Sequence, residues 1–350
     1  MHFPQFGQTI TQAEKHLIFG PPTQALLPLK YPEIYDAYKA GIRNSWTPEE
    51  IGLNEDRIQY REMTEGVKHQ YDLVLSMLTV MDMVVTDSLS DVMGAASAPE
   101  FRAWLARQQF DEANHSDSYA YIIDGIGLKQ QEVFDRYLTD KTLYAKVEMA
   151  EEAVQKLQLA YSTFEAAQQD SNTCTMAAAI STFIEGYSFF PLILEGTWFT
   201  MGLKCGTYAS QFHGQMRGTA DQFAYILRDE QLHTVTGLRA LRLIKHEYPE
   251  AWTSDVVNYI KRMAEKGIEL EREFATSAYH NLPGLPLNDY IEHCQYQCEQ
   301  WLRQLDISVW SEARPRLKWL TESIETRKET NFFERRVTEY QAGTGLNWED

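Results

Sequence analysis

Two short spellings in this sequence carry ligand chemistry: Glu112-Ala113-Asn114-His115 and Glu230-Gln231-Leu232-His233, each a Glu three residues ahead of a His. On a helix, residues three apart project from one side, so each pair presents a carboxylate and an imidazole together. Those two groups can grip one hard-to-borderline metal ion. A single E-x-x-H means little, but two of them in a chain with only 9 histidines mean a good deal more. Leu105, Glu112 and Tyr119 recur at sevenfold spacing and share one helix face with His115. Phe223 and Ile226 share the face of the second pair, so both pairs point inward. Asp82 joins them as a candidate because it interrupts 73–85, a run apolar nearly all round, where an unpartnered acid is costly. Asp87 and Asp91 lie in a more polar stretch and read as solvated. A further acid comes from Glu185 or Glu195, with Pro191 between them expected to kink their helix. Ten residues at about 100° each leave these two acids on different faces, and the residues alone do not choose between them. Together the set supplies one carboxylate from each of two helices and an E-x-x-H from each of two others, the ligand plan of a two-metal site in a helix bundle. Four carboxylates would balance two divalent ions.

Long helices must position such groups, and the proline distribution permits them. Six of the 12 prolines fall at or before Pro48, while 49–248 holds only Pro99 and Pro191. Proline costs about 3 kcal/mol inside a helix, so this span is open to long ones. Apolar periodicity predicts helices over about 64–93, 99–126, 143–167, 175–203, 220–246, 251–280 and 288–305. The reading is an all-α chain in three parts. Residues 1–48, rich in Pro, Gly and Tyr, form an irregular arm; 49–330 form one helical metal-binding domain; 331–350 form a polar tail that cannot bury enough apolar surface to order itself.

Composition sets further bounds. With 32 basic and 50 acidic residues the formal charge is −18, which argues against direct contact with nucleic acid or an anionic membrane. Residues 176–203 are apolar enough to suggest a membrane span, but Glu185 and Glu195 would each cost roughly 3 kcal/mol there. A buried core helix is the better reading. Cys174, Cys205, Cys294 and Cys298 form no C-x-x-C pair and read as free thiols of a reducing compartment. The first twelve residues lack a basic segment followed by an apolar run, so a cytoplasmic protein is expected.

Residues beyond the ligand set resemble the small subunit of class I ribonucleotide reductase, within the ferritin-like di-metal carboxylate superfamily. Phe110-Asp111-Glu112-Ala113-Asn114-His115-Ser116-Asp117-Ser118-Tyr119 is similar to that family's E-x-x-H-S-x-x-Y, and Arg228-Asp229-Glu230-Gln231-Leu232-His233 to its R-D-E-x-L-H. Trp46-Thr47-Pro48-Glu49-Glu50 resembles W-x-P-E-E, and the stretch from Asn331 to Tyr340 resembles the family's C-terminal tail. The resemblance implies that Tyr119 holds a stable radical, formed with O₂ at two metals bound by Asp82, Glu112, His115, Glu195, Glu230 and His233. It implies that Trp46 and Tyr340 relay the radical, and that a large subunit holding the nucleotide docks on 331–350 of a homodimer. Family spacing favours Asp82 over Asp87, and Glu195 over Glu185 with one extra residue. Asp229 suits an acceptor for the free N–H of His115. Gln108 stands where many iron-type relatives carry Trp, whereas Asp82 and Tyr119 favour a di-iron cofactor over manganese or a mixed pair. Two rivals stand beside it: a stand-alone di-metal oxidase or hydroxylase, which would share the six ligands, and a ferritin-like metal store, which would want a shorter bundle and a cage interface.

Overall fold

The computed structural model describes residues 11, 14–21, 23–170, 173–280 and 282–321. Their regular structure is helical: α1 (Pro32–Arg43), α2 (Asn54–Glu62), α3 (Glu65–Ala95), α4 (Pro99–Ile126), α5 (Gln130–Phe134), α6 (Lys141–Asp170), α7 (Thr173–Tyr187), a π-helical segment (Phe190–Phe199), α8 (Thr200–Gly206), α9 (Tyr208–His213), α10 (Arg217–Glu247), α11 (Ser254–Ala278) and α12 (Leu287–Arg303). Among the described residues one isolated bridge, Ile18 with Ala96, is the only β pairing.

Local chemistry explains the ends. Pro99 opens α4 in its first turn, where a missing N–H costs nothing, and Gly127 closes it in the left-handed conformation at φ 85°. The helix expected over 175–203 is instead α7, the π segment and α8 in series. Pro191 explains the break, because it has no N–H to give to the preceding turn. The arm read as irregular contains α1: Pro32 starts it, Glu33 and Arg43 suit its two ends, and Ile34, Ala37 and Gly41 form its buried side.

In the bundle α3 packs on α4 and α6, and α6 on α7. The π segment lies between α10 and α12, and α1 covers α4. Two stretches, Glu65–Ala95 and Thr175–His213, are long and apolar enough to cross a membrane, yet 67% and 72% of their most apolar windows are buried inside the bundle. Each also carries a fully buried acid, Asp82 or Glu195, which marks it as core. Cys205, Cys294 and Cys298 are free and buried.

The arm lies along α10 and is fastened to it repeatedly. Glu247 accepts the Leu17 amide at 3.0 Å and the Tyr31 hydroxyl, and Arg239 donates to Glu33 O at 3.1 Å. At the far end Arg228 donates to Asn44 O, and the Trp46 indole donates to Asp229 at 2.7 Å. Leu17 and Ile18 are fully buried, worth about 1.5–3 kcal/mol each in removed apolar surface. Burial and polar ties together hold the arm down.

Candidate metal centre

Asp82 from α3, Glu112 and His115 from α4, Glu195 from the π segment, and Glu230 and His233 from α10 converge in the core, none more than 1% exposed. They form two overlapping groups, Asp82–Glu112–His115–Glu230 and Glu112–Glu195–Glu230–His233, with the ligand-type atoms of each within 4.8 Å of one another. Glu112 and Glu230 belong to both. His115 Nδ1 lies 3.1 Å from Glu230 and 3.4 Å from Glu112, while His233 Nδ1 lies 3.0 Å from Glu112 and 3.5 Å from Glu230.

The outer ring nitrogens face two aspartates. His233 Nε2 is 3.4 Å from Asp111 on the other helix, and His115 Nε2 is 3.6 Å from Asp229 on the other helix. Each motif is therefore spelled D-E-x-x-H, and the Asp of one steadies the His of the other. With metal bound, contacts of this kind would keep the imidazole proton on Nε2 and leave Nδ1 for the cation. Arg107 pairs with Asp111, and Arg228 lies 3.1 Å from Asp229. Sequence reasoning names Asp229 but misses Asp111, although the Asp preceding Glu in both motifs was the available signal. It also gives Gln108 no contact, whereas its amide donates to Glu195 at 2.7 Å.

The residues fit a pair of metal ions. Both carboxylate oxygens of Asp82, Glu112 and Glu230, both ring nitrogens of His115, and Nδ1 of His233 are buried without a hydrogen-bond partner. A folded core rarely tolerates even one such atom, so this concentration calls for cations. Electrostatics agree. Burial, with Glu112 next in weight, pushes the Asp82 carboxyl well above its usual range, and burial likewise pushes Glu195 up. Burial disfavours charge on His115 and His233, yet the surrounding carboxylates outweigh it and hold both rings well above their usual range. Burial also opposes charge on Glu112, but His233 and His115 draw it down to about 2. Without metal, protons therefore neutralise the cluster, and a cation must displace them. Metal uptake should release protons and weaken as pH falls, by about tenfold per unit for each proton displaced. Titration in weakly buffered solution measures this; uptake without proton release would contradict the account.

Tyr119 is fully buried one turn beyond His115, and its hydroxyl makes no hydrogen bond of good geometry. Burial first, then the Asp82 charge, holds the phenol well above its usual range, so it stays protonated. Trp46 is 4% exposed and stacks on Tyr225 with ring centroids 5.1 Å apart, besides donating to Asp229. Glu185 lies outside the cluster, paired with Lys156 at 2.5 Å. Asp87 is exposed, and Asp91 accepts from Gln158 at 3.1 Å. Tyr340 lies outside the described residues.

Fold and site together define a ferritin-like bundle with a carboxylate–histidine cluster at its centre. The family model for the ribonucleotide reductase small chain matches residues 24–310. The ribonucleoside-diphosphate reductase subunit beta of Chlamydia pneumoniae is 29% identical over 92% of this chain and 91% of its own. Among solved structures, the ribonucleotide reductase R2 subunit from Clostridium botulinum superposes with a TM-score of 0.74 at 24% identity, covering 92% of this chain and 97% of that one. An R2-like ligand-binding oxidase with a Mn/Fe cofactor shares the fold at TM-score 0.66 and 16% identity, covering 81% and 96%. The chain belongs to the ribonucleotide reductase small-chain family, and its enzyme is an oxidoreductase.

Proposed function

We propose that this chain is the radical-generating small subunit of a ribonucleoside-diphosphate reductase, holding two metal ions and an oxidisable Tyr119. One observation carries the reading: two four-residue ligand groups share Glu112 and Glu230 in a sealed core beside a buried phenol. Asp82, Glu112, His115 and Glu230 would hold one ion, and Glu112, Glu195, Glu230 and His233 the other. We assign iron to both, on the strength of Asp82 and Tyr119, with manganese or a mixed pair as the rival. Held there and reduced, such a pair would supply O₂ chemistry strong enough to oxidise a phenol.

The chain's own residues do the rest. Tyr119 would give up the electron and its hydroxyl proton, and among the charged groups Asp82 acts most strongly on that phenol. Phe199 and Ile226, both fully buried, keep water and reductants away. Trp46 takes the hole towards the surface, its indole N–H held by the Asp229 carboxylate. Tyr340 on the tail passes it to a large subunit that holds the ribonucleotide and reduces it to the deoxyribonucleotide. The chain would act as a homodimer, and light scattering on the full-length protein tests this: the mass of a single chain at working concentration would remove it. We place the protein in the cytoplasm.

After reduction and exposure to O₂, the wild type should give a tyrosyl signal in electron paramagnetic resonance. Tyr119→Phe should lose that signal at unchanged metal content. An unaltered signal in the variant would move the radical elsewhere, and activity without any organic radical would favour a metal-centred oxidant. Tyr340→Phe should bind the large subunit normally yet fail in turnover. Full turnover there would remove Tyr340 from the relay.

A further inference from the structure

Glu195 stands on ten residues in π register, Phe190–Phe199. A π turn bonds residue i to i+5 with poorer geometry than the α turn, and persists where its surroundings hold it. Three side-chain donors serve carbonyls along this segment. The Thr197 hydroxyl donates to Leu192 O at 2.7 Å, the Thr200 hydroxyl to Glu195 O at 3.0 Å, and the Trp301 indole N–H to Gly196 O at 2.9 Å. The two threonines belong to the same continuous helix and move with it. Trp301 stands on α12, so it alone among the three ties the π turn to a separate element.

Gly196 is fitted to that contact. A Cβ there would lie 2.2 Å from Pro191 O and 2.9 and 3.0 Å from Cδ1 and Nε1 of Trp301. Only glycine admits both the indole edge and the tightened carbonyl of Pro191. The far end of Glu195 is held by Gln108 at 2.7 Å, so this ligand is constrained at its carboxylate and beside its backbone. The other group, Asp82–Glu112–His115–Glu230, draws on α3, α4 and α10 and owes nothing to the π segment.

We propose that Trp301 is a positioning residue for one half of the metal centre: its indole N–H on Gly196 fixes the π register and so sets how Glu195 enters the group with Glu112, Glu230 and His233. In α register each residue would advance through a larger angle, and Glu195 would turn towards another face. The inference rests on the two-metal reading, and its consequence is asymmetric. Loosening Trp301 weakens one ion position and spares the other.

Trp301→Phe keeps a ring in this half-buried place and removes the N–H. The test titrates Mn(II) alone into metal-free, full-length wild type and variant, counting bound ions by electron paramagnetic resonance. Amide exchange is followed in parallel on the metal-free proteins. We expect one ion to bind the variant as tightly as wild type and the other roughly fivefold more weakly or worse, in line with a lost hydrogen bond. Exchange over 195–201 should quicken while that of α4 and α10 stays unchanged. Equal weakening of both ions would reduce Trp301 to a general structural role and overturn the proposal. So would faster exchange with both affinities intact, or no change in exchange. Gly196→Ala should produce the same selective loss, because its Cβ would meet both Pro191 O and the indole edge. If the wild type bound fewer than two ions, the two-metal reading would fall, and the exchange data would still decide whether Trp301 holds the π register.

Discussion

Replacing Glu112 by Ala should empty both metal positions rather than one. Its two oxygens serve both ligand groups, 3.0 Å from Nδ1 of His233 and 3.4 Å from Nδ1 of His115. Altering a group that merely orients a ligand already costs about 10–100-fold in metal affinity, and a shared ligand should cost more at each position. Removing the charge also leaves three carboxylates against two divalent ions, so the second ion loses part of its attraction. Asp82→Ala and Glu195→Ala should behave differently, each weakening chiefly the group to which it belongs. Metal analysis after anaerobic loading and desalting distinguishes the three patterns. Two ions retained by Glu112→Ala would sink the shared-ligand assignment.

Trp46→Phe should leave metal content and the Tyr119 radical intact and lower nucleotide reduction with the large subunit by about two orders of magnitude or more. The indole N–H lies 2.7 Å from an Asp229 oxygen, and a positioned acceptor of this kind is commonly worth about 10²–10⁴ in rate where proton and electron move together. Phenylalanine fills most of the same space but has neither the N–H nor an accessible oxidation. Asp229→Asn should differ, because Asp229 also faces Nε2 of His115 at 3.6 Å. That change should weaken metal binding as well as transfer. Normal turnover by Trp46→Phe would place the route through some other residue.

Much of this site can be read from the chain because α-helical geometry repeats. The sevenfold spacing of Leu105, Glu112 and Tyr119 puts one face of α4 inward, and Pro99 marks its start where the helix begins. Asp82 stands out because an acid in an apolar run must have a reason to be there. Glu195 could not be placed from the same rule, because the chain between it and Glu185 leaves α register at Phe190 and 100° per residue no longer applies. Family spacing, rather than helix geometry, favoured it. The Asp111–His233 contact was hidden for another reason. It crosses between α4 and α10, and a pairing 122 residues apart leaves no local periodicity. Helix α1 was masked by a proline-rich neighbourhood, although Pro32 itself is what begins it.

The fastening of the arm along α10 bears on how a partner could recognise a finished subunit. Asp229 touches His115 on one side and Trp46 on the other, and Arg228, Arg239 and Glu247 hold successive stretches of the same arm. Any displacement of His115 would therefore meet Asp229 first and, through it, the segment that carries Trp46. A partner that gripped the arm near Trp46 would thus stand two contacts away from His115 in the cluster.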